Sequence, residues 1–469
     1  MSVPALLALT APSSDETRDA DRLVRRLQAY NTPNTLHESY YDGTFKAEQF
    51  GFSIPPNMQH LDAVAGWGGT VVDVLEERLD WLGWRGVNDD ALGLSQVFAD
   101  NQLGPESGMG HLDALIYGTS FVTVGRGADG EPSPLVTVQS PRTTTAEWDR
   151  RRRRVSQAVA VTVDGGRIVR VTRYTDTETT TFDVDEAGRY SVVERDQHGL
   201  GRVPVVQMAN RMRASDTSGR SEITSAVRYY TDSAVRTLTG MEVHREFYQA
   251  PQRWAMNVDP SKFTDSDGRT ASPWQSIQGR VWAVPPNDDG EAQPSVGQFT
   301  PASPTPYIDQ VKNLATLLAA EAGMPTSYLG YASDNPASAD AIRAGEARLV
   351  KRAERRQTVF GAAWLEVGRL ALLVRDGAIP DEFGGISVRW RDASTPTRAA
   401  SADEAVKLIG AGVLTPGSSV TYDRIGLSPE EQRTLDADKR RASGVGVLAA
   451  LRSAAGSDPL TPPADVVGG

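Results

Sequence analysis

Apolar residues recur at two different periods along this chain, and the switches between them mark its parts. Between Asp15 and Tyr30, the positions Leu23, Val24 and Leu27 fall at helical spacing, and Pro33 predicts the end of a short opening helix. In "LDAVAGWGGTVVDVLEERLDWLGW", Leu61, Val64, Ala65, Val71, Val72, Leu75, Leu79 and Leu82 form one apolar stripe, which predicts a single amphipathic helix across the stretch. Shorter helices are predicted near 90–103 and 106–116. From Gly118 to about 207 the period falls to two in "SFVTVGRG", "SPLVTVQS", "QAVAVTVDGGRIVRVTRYT" and "TTTFDVD". An inserted antiparallel β-domain follows, with Asp164-Gly165-Gly166 as a hairpin turn.

Helical spacing returns at 221–249, where Ser221 reads as the N-cap and Pro251 as the stop. Residues 251–306 hold nine prolines and three tryptophans (Trp254, Trp274, Trp282), a composition that forbids long helices and predicts a turn-rich β module. A helix over 307–322 and a loop over 324–338 precede a helix of about 40 residues ending near Asp376, on the order of 60 Å long. Its Val350, Ala353, Gln357, Phe360, Trp364, Val367, Ala371 and Val374 trace one seam, and Gly361 and Gly368 predict the close approach of a neighbour. "GISVRWRD" reads as a strand, the last 70 residues as short helices with turns, and "SDPLTPPADVVGG" as a disordered tail. The class is α+β.

Charge then sharpens one stretch. "RAGEARLVKRAERRQ" (343–357) carries six bases against two acids, in a chain of net charge -11 and pI near 5.1. So acidic a chain is not expected to coat nucleic acid. The bases flank the seam, where charges tune helix–helix contacts. For the run Arg150–Arg154, a phosphate-binding patch and a solvated strand end or inter-subunit contact both remain open. No cysteine is present, which excludes disulfides and thiolate metal sites. His37, His60, His111, His198 and His244 show no metal-ligand spacing, and no phosphate-binding GxxxxGK[ST] loop occurs. No cofactor is expected. Val3–Ala11 lacks the basic flank of a signal peptide, and no run is expected to cross a membrane.

The order of elements, with "YYDG", "WGGTVVDVLEERLDWLGWR", "HGLGRVPVV", "GRSEITSAVRYYTDSA" and "SADAIRAGEARLVKRAERRQTVFGAAW", resembles the portal proteins of tailed bacteriophages, the siphophage type in particular. The likeness spans most of 20–430. It implies an elongated subunit of a ring, commonly of twelve copies, at one vertex of the phage head, through which double-stranded DNA is packaged and ejected. Residues 1–219 would be the wing, 220–249 and 306–323 the stem helices, and 250–305 the clip, with Trp254, Trp274 and Trp282. The tunnel loop would be 324–338, the spine helix 339–376, a returning wing strand 377–396, and the crown with its flexible tail 397–469.

On that resemblance Tyr328, Leu329, Tyr331, Ser333, Asp334 and Asn335 would meet DNA, and Arg348, Arg352, Arg355, Phe360 and Trp364 would serve inter-subunit or helix packing. Expected partners are further copies of the chain, double-stranded DNA, the terminase large subunit, a head–tail connector or adaptor, the major capsid protein and scaffold, with no membrane. The expected location is the virion, after assembly in the host cytoplasm. A head–tail adaptor or other ring-forming virion protein, and an enzyme of unrecognised type, are the alternatives.

Overall fold

The computed structural model describes residues 12–46, 63–86, 91–249, 253–257, 295–300, 303–331, 339–394, 396, 398–428 and 431–442. The first helix, α1 (Ser14–Tyr41), opens on a capping box in which Ser13 and Glu16 satisfy each other's backbone N–H groups. It runs through Pro33 instead of stopping there. A proline inside a helix removes one backbone bond, and tertiary contacts beyond it hold the last two turns. Tyr40 donates to Asp232 at 2.8 Å, and Tyr117 donates to Glu38 at 3.1 Å.

The inserted β-domain is present and divides in two. Strands β2 (Thr119–Gly125), β3 (Leu135–Gln139) and β9 (Val205–Ala209) form an antiparallel sheet in the order β3-β2-β9. Strands β4 (Thr144–Asp149), β5 (Arg154–Asp164), β6 (Arg167–Tyr174), β7 (Thr179–Val184) and β8 (Tyr190–Asp196) form a meander. Asp164 pairs with Arg167 across the predicted hairpin, whose Gly165 and Gly166 both have positive φ, as a two-residue turn with the strands' own twist requires. The apolar stripe of α1 (Ala20, Leu23, Val24, Leu27) covers this sheet at Val159, Val161, Val171 and Phe182.

The stripe predicted as one helix through Trp84 breaks in two. Helix α2 (Trp67–Glu76) ends, and β1 (Trp81–Arg85) begins four residues after Glu77, paired antiparallel with β12 (Ser387–Trp390). Helical spacing there was satisfied by residues that a strand buries instead: Trp81 and Trp84 both enter the core, with a bulge between them. Helices α3 (Leu94–Asp100) and α4 (Leu103–Tyr117) follow. Helix α5 (Ser225–Gln249) starts four residues later than predicted, because Ser221 instead accepts a bond from the N–H of Ile223 in the turn before it. Beside α5 lies α6 (Thr305–Ala322).

The long helix α7 (Ala339–Asp376) is the axis on which the main core is built. Phe360, Trp364, Val367 and Ala371 are fully buried. A Cβ at Gly361 would lie 2.7 Å from Val388, and one at Gly368 would lie 2.9 Å from the Trp84 indole nitrogen, so the predicted close neighbours are β12 and β1. By length and composition alone Ala341–Asp376 would pass as a membrane span, against the expectation from sequence. Half of that apolar stretch is buried, with Phe360, Trp364, Val367, Leu370 and Ala371 in the chain's own core. The C-terminal part contributes α8 (Arg398–Gly410) and α9 (Ser419–Arg424).

Candidate functional site

The loop after α6 and the charged first half of α7 form one connected region. Proline at 325 forbids continuation of α6, and Thr326–Leu329 make a single 3-10 turn. The Tyr328 hydroxyl donates to Glu346 Oε1 at 2.8 Å and accepts from Arg78 Nη2 at 3.0 Å. Arg78 is itself buried, bonded to the Ala393 carbonyl at 2.7 Å and paired with Glu346 at 3.4 Å. Burial, followed by the bond to Glu346, raises the Tyr328 pKa. Leu329 packs against the main core. The first part of the loop expected over 324–338 is thus fastened to the end of α2 and to α7. Tyr331 is half-buried, while Ser333, Asp334 and Asn335 lie outside the described residues.

Two turns along α7, the basic side chains diverge in role. Arg348 donates to the Ala320 carbonyl at 2.8 Å and so ties α7 to α6. Arg352 and Arg356 both reach Glu222, which is 1% exposed in the turn before α5. Arg352 Nη2 lies 2.6 Å from Glu222 Oε2, and Arg356 Nη2 bonds to Oε1. Asn210, just past β9, donates to Oε1 at 3.0 Å and accepts from Arg356 Nε at 3.1 Å, and Arg211 stands 3.5 Å from Oε2. Burial pushes the Glu222 carboxyl up in pKa. Arg352, Arg356, Asn210 and Arg211 outweigh it and hold the group below its ordinary value. Arg352 thus joins α7 to the root of α5 within the chain, beside Asn210 at the end of β9. Glu222 was missed at the sequence level, since a lone acid beside a presumed N-cap looks like ordinary first-turn chemistry.

Arg355 points elsewhere: it is exposed and has no acidic partner among the described residues. Together with its neighbours it lines a cleft of about 880 Å³ between α7, the end of α6 and the segment 210–224. Phe360 and Trp364 pack inward. The Trp364 indole stacks on Trp81 at 4.0 Å and donates to His111 Nε2 at 3.0 Å, while its carbonyl accepts from Trp84 at 2.9 Å. Burial lowers the His111 pKa to about 3, so the ring is neutral and accepts that bond. His111 is a core residue.

Trp254 lies on β10 (Arg253–Met256), which pairs with β11 (Ser295–Gln298). Its ring crosses Gly297, where a Cβ would be 2.4 Å away. Trp274 and Trp282 fall outside the described residues. In the Arg150–Arg154 run, Arg150–Arg153 are an exposed turn between β4 and β5, with Asp149 accepting from the N–H groups of Arg151 and Arg152.

Among the described residues no group of carboxylates and histidines could hold a metal. A long helix at the heart of the core, an inserted β-domain and a fastened loop at the helix's head define a protein of mixed α and β construction. Its family follows from its relatives. The family model described as "Phage portal protein, SPP1 Gp6-like" matches residues 20–421, and the chain belongs to that family. It is 35% identical over 470 residues to the portal protein of Mycobacterium phage D29, covering 96% of this chain and 95% of the relative. It is 36% identical over 474 residues to the portal protein of Mycobacterium phage L5, covering 96% and 94%. A solved structure titled "Neck of native GTA particle computed with C12 symmetry" matches with a TM-score of 0.43 and 14% identity, over 81% of this chain and 95% of that one. As a portal protein, the chain is a structural component of the virion, at the capsid, in the channel for packaging and ejecting DNA.

Proposed function

We propose that the chain assembles into a closed ring of twelve copies at one capsid vertex. The family match over 20–421, carried by relatives that align along almost their whole length, is the observation that supports this. In this reading 1–219 and 377–396 form the wing, α5 and α6 lie in the stem segments 220–249 and 306–323, and 250–305 form the clip that meets terminase and then the head–tail connector. The spine is 339–376 and the crown 397–469. The major capsid protein and scaffold surround the ring, which forms in the host cytoplasm. No catalysis is assigned to it.

The tunnel loop 324–338 faces the DNA. Tyr328 and Leu329 are spent on holding its first part to the body, so contact passes to Tyr331, Ser333, Asp334 and Asn335. A passage for DNA works best without grip, because each neutralised phosphate adds affinity and salt dependence. The segment 331–335 has one acid and no base, and the chain as a whole is acidic, which suits that need. Electron microscopy of the purified protein tests the ring: annular particles with a central hole are expected, and a monomer at all concentrations refutes it. Deleting 331–335 should impair DNA packaging or ejection while leaving rings intact. Unchanged packaging and ejection would remove the loop's role.

A further inference from the structure

The cleft beside α7 is lined by eight basic side chains and two acidic ones, the reverse of the chain's overall balance of -11. One of those acids, Glu222, is already shared by Arg352, Arg356 and Arg211. Arg348 is bonded to a neutral carbonyl and Arg355 has no acid among the described residues. Lys351 is paired with Glu354 and Arg220 with Asp216, so the surplus positive charge of the cleft rests on Arg348, Arg355 and Arg213, which have no acid within ion-pair distance among the described residues.

The complementary surface lies across the same helix. Taking about 100° per residue, Arg348, Arg355, Arg356 and Val359 project within about 60° of Arg352, whereas Gln357, Gly361 and Trp364 project about 120–180° away. On that far side Gln357 donates to the carbonyls of Arg78 and Arg391, both at 3.0 Å, which places the corner between α2 and β1 there. The corner carries Asp73, Glu76, Glu77 and Asp80. Arg391 pairs with Asp80 at 3.0 Å, Arg78 is turned inward to Glu346, and exposed Glu77 has no cation among the described residues. Burial, followed by the like charges of Asp80, Asp73 and Glu77, raises the Glu76 pKa to about 7.

A ring is built from head-to-tail contacts between two different patches on opposite sides of each subunit. We infer that the basic cleft of one copy receives the acidic α2–β1 corner, residues 73–80, of the next copy, with Arg355 opposed to Glu77 and its neighbours. The inference rests on the ring reading above. It assigns Arg352 and Arg356 to the subunit's own fold and Arg355 to its neighbour. A polyanion such as DNA is the competing occupant, disfavoured because a translocating channel is served by weak contact with its cargo.

Charge reversal tests this. Arg355→Glu and Glu77→Arg should each raise the protein concentration needed for half-assembly at least about tenfold, as a few like charges across an interface do. An equimolar mixture of the two variants should assemble again, because alternating copies restore opposite charges at every contact. Rescue on mixing also shows that both variants are folded. The chain has no cysteine, so in Arg355→Cys/Glu77→Cys rings a short bis-maleimide should link copies into a ladder on a denaturing gel. Three results overturn the inference while leaving the ring reading intact: both single reversals form normal rings, the mixture fails to assemble, or the rings give no ladder. Normal Arg355→Glu rings that lose salt-dependent DNA binding would assign the cleft to a polyanion instead. An unaltered chain that never forms rings would remove the ring reading itself.

Discussion

Glu222→Gln should be among the most damaging isosteric changes in the protein. The carboxylate is 1% exposed and balances Arg352 and Arg356, whose side chains are 17% and 10% exposed. Glutamine keeps the shape and the bond from Asn210, but leaves two guanidinium groups without their counter-charge. Breaking a buried ion pair by removing one partner costs about 3–5 kcal/mol. The pH dependence has a definite sign. The folded-state pKa of Glu222 is depressed, so its contribution is fully present above the unfolded value near 4.5 and is lost as pH falls through the folded value. Urea unfolding of wild type and Glu222→Gln should then differ by a constant amount from pH 7 to about pH 5, and converge only in stronger acid. Adding Arg352→Met should recover part of the loss, since an apolar side chain leaves one fewer unpaired charge. A Glu222→Gln protein within about 0.5 kcal/mol of wild type at pH 7, or a difference that widens on acidification, would refute the reasoning.

Three further outcomes follow from packing. Gly368→Ala, whose Cβ would sit 2.9 Å from the Trp84 indole nitrogen, should lower stability by about 1–3 kcal/mol, whereas Gly345→Ala, with only Pro325 at 4.0 Å, should raise it by about 0.5–1 kcal/mol; chemical denaturation compares them. Trp364→Phe leaves buried His111 Nε2 without its donor and should cost about 1–3 kcal/mol, seen as a lower unfolding midpoint with altered near-UV circular dichroism. Tyr328→Phe removes the hydroxyl shared by Arg78 and Glu346, and hydrogen exchange should quicken at 324–331 for a loss of about 1 kcal/mol.

Much of the chain was legible from side-chain period. The antiparallel strands with their Asp164-Gly165-Gly166 turn, the helix expected over 307–322 and the long helix with its two close-approach glycines all follow from local spacing and turn chemistry. Pro33 and the stripe 61–84 misled for a common reason. A local rule weighs one lost backbone bond or one apolar face, while α1 is held beyond its proline by Tyr40 and Glu38, and Trp81 and Trp84 are claimed by β12, some 300 residues away.

The region around 343–357 divides in the same way. Sequence alone determined that its bases flank an apolar seam and that the seam must be buried, and it set the expectation that so acidic a chain does not coat nucleic acid. It also carried the resemblance to portal proteins, because order and spacing of elements are properties of the chain itself. Only the tertiary structure decided which arginine does what. Glu222 lies 130 residues from Arg352 and meets it only when β9, α5 and α7 pack together. A charge's partner is set by through-space distance and burial, and those exist only once the core has formed.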